Sequence, residues 1–219
     1  MLPTRELETS HGHPESLVAG IDEVGLAPLA GPVVACAIVM PLGETIDEVR
    51  DSKALSRRQR ERLEPIIRRA ALAYGIGAAS AREIERLNPR AASHLAMARA
   101  LAALQRRYRI AVALSLVDGS PAQDLDSLIG PHRTVVRGDA SVYPIACASI
   151  VAKVLRDRLM ERLAERYPGY GWETNAGYPA AAHVAALMRL GVTPHHRRTY
   201  APVKDAVRER GGELRSSNA

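Results

Sequence analysis

Two adjacent acidic residues, Asp22 and Glu23, stand directly after an apolar segment of the chain. That segment, residues 17–21, reads Leu-Val-Ala-Gly-Ile and is typical of a buried strand. Two carboxylates at the tip of such a strand repel each other and lose hydration, so the pair must raise a pKa or bind a cation. Residues 25–32 contain two glycines and two prolines, which favours a tight turn that positions the acids. The alternative is that both acids cap a strand end and face water.

Acidic residues recur at the ends of other predicted strands. Asp118 follows a predicted strand at 111–117, and Asp139 follows one at 134–136. If these strands neighbour the first one in a sheet, four carboxylates meet at one edge, where they require divalent cations. Oxygen ligands with few sulfur or histidine ligands nearby favour Mg²⁺ or Mn²⁺, and two such ions about 4 Å apart activate water for phosphodiester hydrolysis. Both positions also fit ordinary turn dipeptides with glycine, so spacing alone leaves the two interpretations open.

The elements that must position these acids follow from hydrophobic periodicity and helix-start signals. Strands are predicted at 17–22, 32–40, 72–79, 111–117 and 134–136, and helices at 56–71, 89–107, 144–166 and 180–190, with a short helix after Ser80. Ser56 with Gln59 and Ser80 with Glu83 form capping boxes. The predicted class is α/β with one mixed β-sheet flanked by helices, and the predicted organisation is a flexible tail over 1–16, one domain over 17–204 and a flexible tail over 205–219.

The overall composition is that of a soluble globular protein with a basic surface. A net charge of +6 and a pI near 9.7 suit a polyanionic partner, although only three of the 30 basic residues are lysines, so a codon bias toward arginine explains the balance equally well. Cys36 and Cys147 lie far apart among apolar residues and are expected to be buried thiols. With no apolar run long enough for a membrane span and a polar N-terminus, we expect a cytoplasmic protein.

Residues 22–34 read Asp-Glu-Val-Gly-Leu-Ala-Pro-Leu-Ala-Gly-Pro-Val-Val and resemble the signature of the ribonuclease HII family, usually Asp-Glu-Ala-Gly-Arg-Gly-Pro-Leu-Ala-Gly-Pro-Val-Val. The resemblance covers residues 17–204 and is highly specific, because further motifs follow in the family's order. These motifs are Asp51–Ser56, Asn88 with Ala96-Met97, Val117–Gly119, Gly138-Asp139, Ile145–Val154 with Arg156-Asp157, Asn175–Tyr178, His183 and His196–Tyr200.

The resemblance implies a ribonuclease H-like fold with a C-terminal helical part. It implies an endonuclease that cleaves the RNA strand of RNA–DNA hybrids and cuts 5′ of ribonucleotides embedded in duplex DNA, leaving 5′-phosphate and 3′-hydroxyl ends. Catalytic and metal-binding roles would fall to Asp22, Glu23, Asp118 and Asp139, which would hold Mg²⁺ or Mn²⁺, two ions during catalysis. Substrate contacts would come from Gly25, Leu26, Ala27, Lys53, Arg137, Tyr178 and Arg197. The first three would read the ribose 2′-hydroxyl, Tyr178 would pack on the sugar, and Arg197 would belong to a supporting basic surface.

The departures from the family pattern that bear on these roles are at Leu26, Ala27, Arg137 and Tyr200. Leu26 replaces an arginine and removes a charge, and Ala27 replaces a glycine, which would add strain if the position has positive φ. Arg137 replaces a lysine, and Tyr200 replaces a phenylalanine and adds a hydroxyl that needs a partner. Two alternatives therefore stay open: a ribonuclease H-like nuclease with weakened junction preference, and a non-catalytic nucleic-acid-binding relative. We expect a monomer.

Overall fold

The computed structural model describes residues 2–43, 45–121 and 125–216 of the chain, with side chains up to residue 209. These residues form two compact units, each assembled from three segments that alternate along the sequence. Unit 1 contains Met1–Val24, Val34–Ala78 and Ser93–Leu155, and unit 2 contains Gly25–Val33, Ala79–Ala92 and Arg156–Ala219. The sequence analysis expects one domain over 17–204. No linker marks the boundaries between the units because each boundary falls inside a strand or helix or at a strand's end.

Unit 1 holds a five-stranded sheet in the order β3-β2-β1-β4-β5. The strands are β1 (Val18–Val24), β2 (Val33–Val39), β3 (Ala73–Ala79), β4 (Leu114–Asp118) and β5 (His132–Val135). Strand β1 pairs antiparallel with β2 and parallel with β4, which in turn pairs parallel with β5. The predicted α/β class with one mixed sheet is confirmed. Because β1, β4 and β5 are parallel, their C-terminal ends lie at the same edge of the sheet.

The predicted helices are present, with both capping boxes formed as expected. Within the described residues the helices are α1 (Glu6–Ser10), α2 (Arg57–Ala70), α3 (Ala81–Leu87), α4 (Pro89–Tyr108), α5 (Asp126–Ile129), α6 (Gly138–Ser141), α7 (Tyr143–Arg166), α8 (Trp172–Asn175), α9 (Ala181–Leu190) and α10 (Ala201–Ser216), and a 3₁₀ helix covers Ser52–Ala54. The short helices α1, α5, α6 and α8 were not predicted, since four or five residues carry too little periodicity.

Residues 1–16, expected to be a flexible tail, are packed onto unit 1 where the structure describes them. Thr4 forms a parallel bridge with Val142. His13 is buried, with its Nε2 atom 2.9 Å from the carbonyl oxygen of Met40. The sequence did not indicate this packing, because the segment is polar and hydrogen bonds from its backbone and side chains, as well as apolar contacts, hold it on the rest of unit 1.

Helix α7 packs directly against β1 within unit 1. A Cβ atom on Gly20 would lie 2.3 Å from the carbonyl carbon of Pro144, so only glycine permits this approach. The following turns of α7, residues 146–152, are buried in the main core of unit 1 together with Cys36 and Ile38 of β2. This contact brings the side chains of α7 next to the acidic residues of β1.

Unit 2 is organised around the buried ring of Trp172. Its apolar cluster includes Leu29, Met160, Tyr170, Leu187 and Val203. Helices α9 and α10 pack together, and α10 occupies most of residues 205–219, predicted as a tail; residues 217–219 lie outside the described part of the chain. None of the described helices combines the length and apolar character that crossing a bilayer requires.

Candidate active site

Asp22 and Glu23 lie inside strand β1 rather than beyond its end. The predicted strand ends at residue 22, but pairing with β2 extends β1 to Val24, with Asp22 opposite Cys36. Pairing with β4 stops earlier, at Ile21. The two acids therefore occupy a stretch of β1 where one neighbouring strand continues and the other has ended, at the edge that the parallel strands share.

Asp118 is the last residue of β4, and its carboxylate is tied to helix α6. The Oδ1 atom accepts hydrogen bonds from the backbone N–H of Gly138 at 2.7 Å and of Asp139 at 3.4 Å. These two N–H groups belong to the first turn of α6, where backbone donors lack partners within the helix. Asp118 thus caps α6 from the neighbouring strand and fixes the position of Asp139 relative to itself.

Asp139 is buried in α6 and forms an ion pair with Lys53. The Lys53 Nζ atom lies 2.8 Å from Asp139 Oδ2, and the Lys53 side chain is otherwise 78% exposed. This hydrogen bond is the main reason that the pKa of Lys53 is raised. The 3₁₀ helix that carries Lys53 is capped by Asp51, whose side chain accepts the Lys53 N–H at 2.8 Å. The capped turn therefore holds the Lys53 ammonium group at the acidic site.

A chain of hydroxyl groups links the same turn to Asp22. The Ser149 hydroxyl on α7 donates to the Asp22 carboxylate. Ser149 Oγ also lies 2.7 Å from Ser52 Oγ, and both serines are buried. Because Ser149 uses its proton on Asp22, Ser52 must be the donor to Ser149. The turn at residues 51–54 thus supports two acids, Asp22 through serines and Asp139 through Lys53.

Burial and mutual repulsion raise the pKa values of three of the four acids. The pKa of Asp22 lies well above its usual value, chiefly because of burial and then because of Glu23 and Asp118. Burial and the charge of Asp118 raise the pKa of Glu23 to about 7. The pKa of Asp118 is also raised, first by burial and then by Asp139. The structure therefore brings the four predicted acids into electrostatic contact, as the strand-end pattern suggested.

The chemistry of these donors fits a hard divalent cation. Among the described residues, no three Asp, Glu, His or Cys side chains are arranged as they stand to hold one ion. The donor set nevertheless consists of carboxylate oxygens that repel one another, and Glu23 Oε2 is buried without a hydrogen-bond partner. A buried, unpaired carboxylate oxygen is costly, and a cation shared with Asp22, Asp118 and Asp139 would relieve that cost.

In unit 2, two buried arginines organise the loop at residues 25–32. The Arg197 guanidinium donates to the carbonyl oxygens of Gly25 at 2.5 Å, Leu26 at 2.6 Å and Gly31 at 2.9 Å. Arg197 is fully buried, so the predicted place on a basic surface is corrected: burial and these carbonyl partners leave its guanidinium no access to a phosphate. Burial also lowers its pKa.

Arg156 holds the other side of the same loop. Its guanidinium donates to the carbonyl oxygens of Pro32 at 3.0 Å, Ala30 at 3.2 Å and Ala176 at 3.0 Å. Gly25 has a φ of 101°, and a Cβ atom there would lie 2.2 Å from Arg156 Nε, so this position requires glycine on both grounds. The loop conformation thus depends on carbonyl groups that face two buried cations.

Three departures from the family pattern lie in or next to this loop. Leu26 and Ala27 belong to the loop, and Tyr200 is hydrogen-bonded to it. Leu26 is 36% exposed, and Ala27 is also exposed. Ala27 does not have positive φ, so the backbone strain considered for this substitution is absent. The Tyr200 hydroxyl, which needed a partner, donates to the Leu26 carbonyl oxygen at 2.6 Å and accepts from Arg197 Nη1 at 3.1 Å.

Tyr178 is 38% exposed and is held through its backbone. Its carbonyl oxygen accepts a hydrogen bond from His183 Nδ1 at 2.8 Å, so the Nδ1 atom carries the proton and His183 Nε2 is an acceptor. His183 Nε2 lies 3.1 Å from His196 Nε2 and accepts from Trp172 Nε1 at 3.0 Å. Tyr178 therefore presents its ring from a loop anchored to a buried histidine pair.

Arg137 is exposed and has a left-handed backbone conformation, with φ of 56°, just before α6. A non-glycine residue in this conformation is strained and often lies at a functional site. Arg137 adopts this conformation in the sharp turn that joins β5 to α6. The same turn places the N–H groups of Gly138 and Asp139 next to the Asp118 carboxylate.

The sequence identified the charged residues of the site but not the buried serines that hydrogen-bond to the acids or to each other. Ser52, Ser149 and Ser93, whose hydroxyl donates to Glu23, are all buried. For Ser149 a signal existed, because it is the one hydroxyl within the apolar residues 145–152 of a buried helix. The histidine pair carried no comparable signal, since its partners are a distant carbonyl group and a distant indole.

The chain matches the family model described as Ribonuclease HII over residues 19–203. It is 52% identical over 187 residues to the ribonuclease HII of Paracoccus denitrificans (strain Pd 1222), an alignment that covers 85% of this chain and 85% of the relative.

Two solved structures share the fold. The ribonuclease H2 from Pyrococcus horikoshii OT3 superposes with a TM-score of 0.71 at 27% sequence identity, covering 86% of this chain and 96% of that chain. Bst-RNase HIII in complex with Mn²⁺ superposes with a TM-score of 0.73 at 19% identity, covering 90% of this chain and 71% of that chain. The expected ribonuclease H-like fold is confirmed.

Proposed function

Because the chain belongs to the ribonuclease HII family and is thus a ribonuclease H-type endonuclease, we propose that it cleaves the RNA strand of RNA–DNA hybrids and cuts on the 5′ side of single ribonucleotides in duplex DNA. Hydrolysis adds a water oxygen to the phosphorus and breaks the bond to the 3′ oxygen, which leaves with a proton. The products are a 5′-phosphate end and a 3′-hydroxyl end.

The gathering of four carboxylates in unit 1 is the observation that carries this proposal. Asp22 and Glu23 on β1, Asp118 on β4 and Asp139 on α6 share one electrostatic environment, in which neighbouring carboxylates contribute to raising the pKa values of Asp22, Glu23 and Asp118. A protein that only binds nucleic acid gains nothing from four acids, because they repel phosphate. The cluster therefore argues against the non-catalytic alternative.

We propose that Asp22, Glu23, Asp118 and Asp139 hold two divalent ions, Mg²⁺ or Mn²⁺. Such ions supply activation of the attacking water and neutralisation of charge at the scissile phosphate. The Mn²⁺ complex of Bst-RNase HIII, which shares the fold, is consistent with this choice of ion. Without metal the pKa of Glu23 is raised to about 7, so binding of a cation near neutral pH would displace a proton from this carboxylate.

We propose that Lys53 and Arg137 contact phosphate groups of the substrate. Lys53 has a largely exposed side chain whose ammonium group already lies at the acidic site, 2.8 Å from Asp139 Oδ2. Arg137 is exposed directly before the turn that carries Asp139. Cations at these two positions would orient the backbone of the cleaved strand relative to the acids.

Reading of the 2′-hydroxyl is proposed to fall to the backbone of residues 25–27, with Tyr178 packing on the adjacent sugar. Both segments lie in unit 2, where Leu26, Ala27 and Tyr178 are exposed and Gly25 is buried. The Leu29 N–H donates to the Gly177 carbonyl oxygen at 2.7 Å, so the loop that carries Leu26 and the loop that carries Tyr178 are directly bonded. One contact surface of two loops can therefore meet a ribonucleotide and its neighbour together.

A panel of substrates tests this function. The parent enzyme and Asp22→Asn are assayed in Mg²⁺ and in Mn²⁺ with a DNA duplex that contains one ribonucleotide, a continuous RNA–DNA hybrid and an all-DNA duplex. We expect the parent to cut 5′ of the single ribonucleotide and within the hybrid, and Asp22→Asn to cut neither. Cleavage of the hybrid alone would favour the alternative with weakened junction preference, which the apolar Leu26 motivates. Cleavage of neither substrate would contradict the proposal.

A further inference from the structure

The carbonyl groups of Gly25 and Leu26 are both turned toward one buried cation. Arg197 Nη2 lies 2.5 Å from the Gly25 carbonyl oxygen, and Arg197 Nη1 lies 2.6 Å from that of Leu26. The Tyr200 hydroxyl donates a second hydrogen bond to the Leu26 oxygen, at 2.6 Å. The Arg197 guanidinium carbon also lies 5.2 Å from the centre of the Tyr200 ring. Arg197 thus fixes the oxygens of two successive peptide groups of unit 2.

The direction of these carbonyl groups fixes the direction of two N–H groups. In a planar trans peptide the C=O of one residue and the N–H of the next point in opposite directions. The N–H groups of Leu26 and Ala27 therefore point away from Arg197, and both residues are exposed. Among the described residues, the structure gives neither N–H a hydrogen-bond partner. Two consecutive N–H groups that both point away from Arg197 and lack partners can donate hydrogen bonds to an oxygen atom of a ligand.

From this geometry we propose that Tyr200 is a specificity-determining positioning residue, whose hydroxyl, with Arg197, aims the Leu26 and Ala27 N–H groups at the ribose 2′-oxygen. This inference rests on the proposed function, because it assigns the atoms that read the ribonucleotide. Tyr200 does not touch the substrate in this role. It acts through the Leu26 carbonyl group, and the charged Arg197 acts through the same atom.

The hydroxyl of Tyr200 can be separated from the rest of its side chain. Tyr200→Phe restores the usual residue of the family and keeps the ring next to the Arg197 guanidinium. It removes both hydrogen bonds of the hydroxyl, the one donated to the Leu26 oxygen and the one accepted from Arg197 Nη1. One hydrogen bond of this kind contributes on the order of tenfold in an equilibrium constant. A duplex with one ribonucleotide has a single 2′-hydroxyl, which can meet the two N–H groups in only one register. Binding of this duplex therefore depends fully on the orientation of the two N–H groups. A continuous hybrid offers a 2′-hydroxyl at every nucleotide and tolerates a displaced loop better.

The test compares kcat and KM of the parent and of Tyr200→Phe on both substrates, together with thermal unfolding. Tyr167→Phe is the matched control, because it removes a hydroxyl from unit 2 for which the structure gives no hydrogen bond among the described residues. For Tyr200→Phe we expect KM on the single-ribonucleotide duplex to rise about tenfold with kcat within about twofold, and KM on the hybrid to rise less than about threefold.

The outcomes separate this inference from the function on which it rests. An unchanged ratio of the two KM values, or a parallel loss on both substrates with a lower unfolding temperature, would overturn the role of Tyr200 alone. A parent enzyme that cuts neither substrate would overturn the proposed function and this inference with it. A selective rise in KM for the single ribonucleotide, absent in Tyr167→Phe, would support the inference.

Discussion

Asp22 shows why residue identity alone is an incomplete guide to this site. The sequence identifies the four acids, because carboxylates at strand ends are visible as a pattern. It does not show that β1 continues beyond Asp22 to Val24, since this continuation depends on pairing with β2. Nor does it show Ser149, because the hydrogen bond between them joins residues far apart in the chain. What could be predicted was local, and what was missed required two distant segments to meet.

Replacing Asp22 by asparagine is expected to abolish cleavage while stabilising the metal-free protein at pH 8. The pKa of Asp22 is raised by burial, so its ionised form is disfavoured in the folded state, and that penalty grows as pH rises above the unfolded value. We expect a gain of about 1–2 kcal/mol in the free energy of unfolding, measured by denaturant in the presence of a chelator.

Asp205→Asn is the control for that experiment, since it removes a carboxylate from an exposed position on α10. It should leave both cleavage and stability near the parent values. A loss of stability in Asp22→Asn larger than in the control would show that the Asp22 carboxylate is not under electrostatic strain.

At the scale of elements, the 3₁₀ helix Ser52–Ala54 has two roles. It carries Lys53, and its Ser52 hydroxyl helps to hold the acids in position. The Ser52 hydroxyl bonds to Ser149, and Ser149 bonds to Asp22. The sequence predicted a polar turn here and the capped helix that follows, because both have local signals. It could not predict which buried helix the turn would contact.

Ser149→Ala is expected to lower kcat about tenfold with little change in KM. The substitution removes the hydroxyl that donates to Asp22, so the carboxylate loses one fixed hydrogen bond and its pKa rises further. Single-turnover cleavage of the one-ribonucleotide duplex would measure the effect directly. Ser115→Ala is a close control, because Ser115 is equally buried in β4 and its Oγ atom has no partner among the described residues. Equal effects of the two substitutions would refute the role given to Ser149.

The buried histidine pair of unit 2 is expected to make stability depend on pH. Burial, followed by His183 and His195, lowers the pKa of His196 from 6.5 to about 3. The folded state therefore binds fewer protons than the unfolded chain below pH 6.5. Burial of neutral His196 therefore contributes fully to the free energy of unfolding above pH 6.5. This contribution is lost as pH falls toward 3, because the unfolded chain then binds a proton that the folded state does not bind.

The variant His196→Gln isolates this contribution. Between pH 6.5 and 5 the stability advantage of the parent over the variant should shrink by up to about 1.4 kcal/mol per pH unit, measured by denaturant unfolding. Asp22, Glu23 and Asp118 titrate with the opposite sign but are present in both proteins, so they cancel in the difference. A difference that stays constant across this range would contradict the assignment of a neutral, buried His196.

At the scale of the whole molecule, the residues to which we assign roles belong to two units that alternate along the sequence and that no sequence boundary reveals. The four acids and Lys53 belong to unit 1, whereas the loop at residues 25–32 and Tyr178 belong to unit 2. The chain passes from one unit to the other directly after β1, between Val24 and Gly25. The motif at residues 22–34 therefore serves both units, with its acids in one and its backbone donors in the other. The expectation of a monomer stays a prediction, which sedimentation velocity would check.

Calorimetric titration of Mn²⁺ into the metal-free protein is the most direct test that the four carboxylates form a divalent-metal site. We expect the parent at pH 7 to bind up to two ions and to release protons, because Asp22 and Glu23 have raised pKa values and must lose protons to bind. The proton release is read from heats in buffers of different ionisation enthalpy. Asp22→Asn should bind at least about tenfold more weakly. Equal affinity of parent and variant, or no binding by the parent in the millimolar range, would contradict a metal site built from these residues.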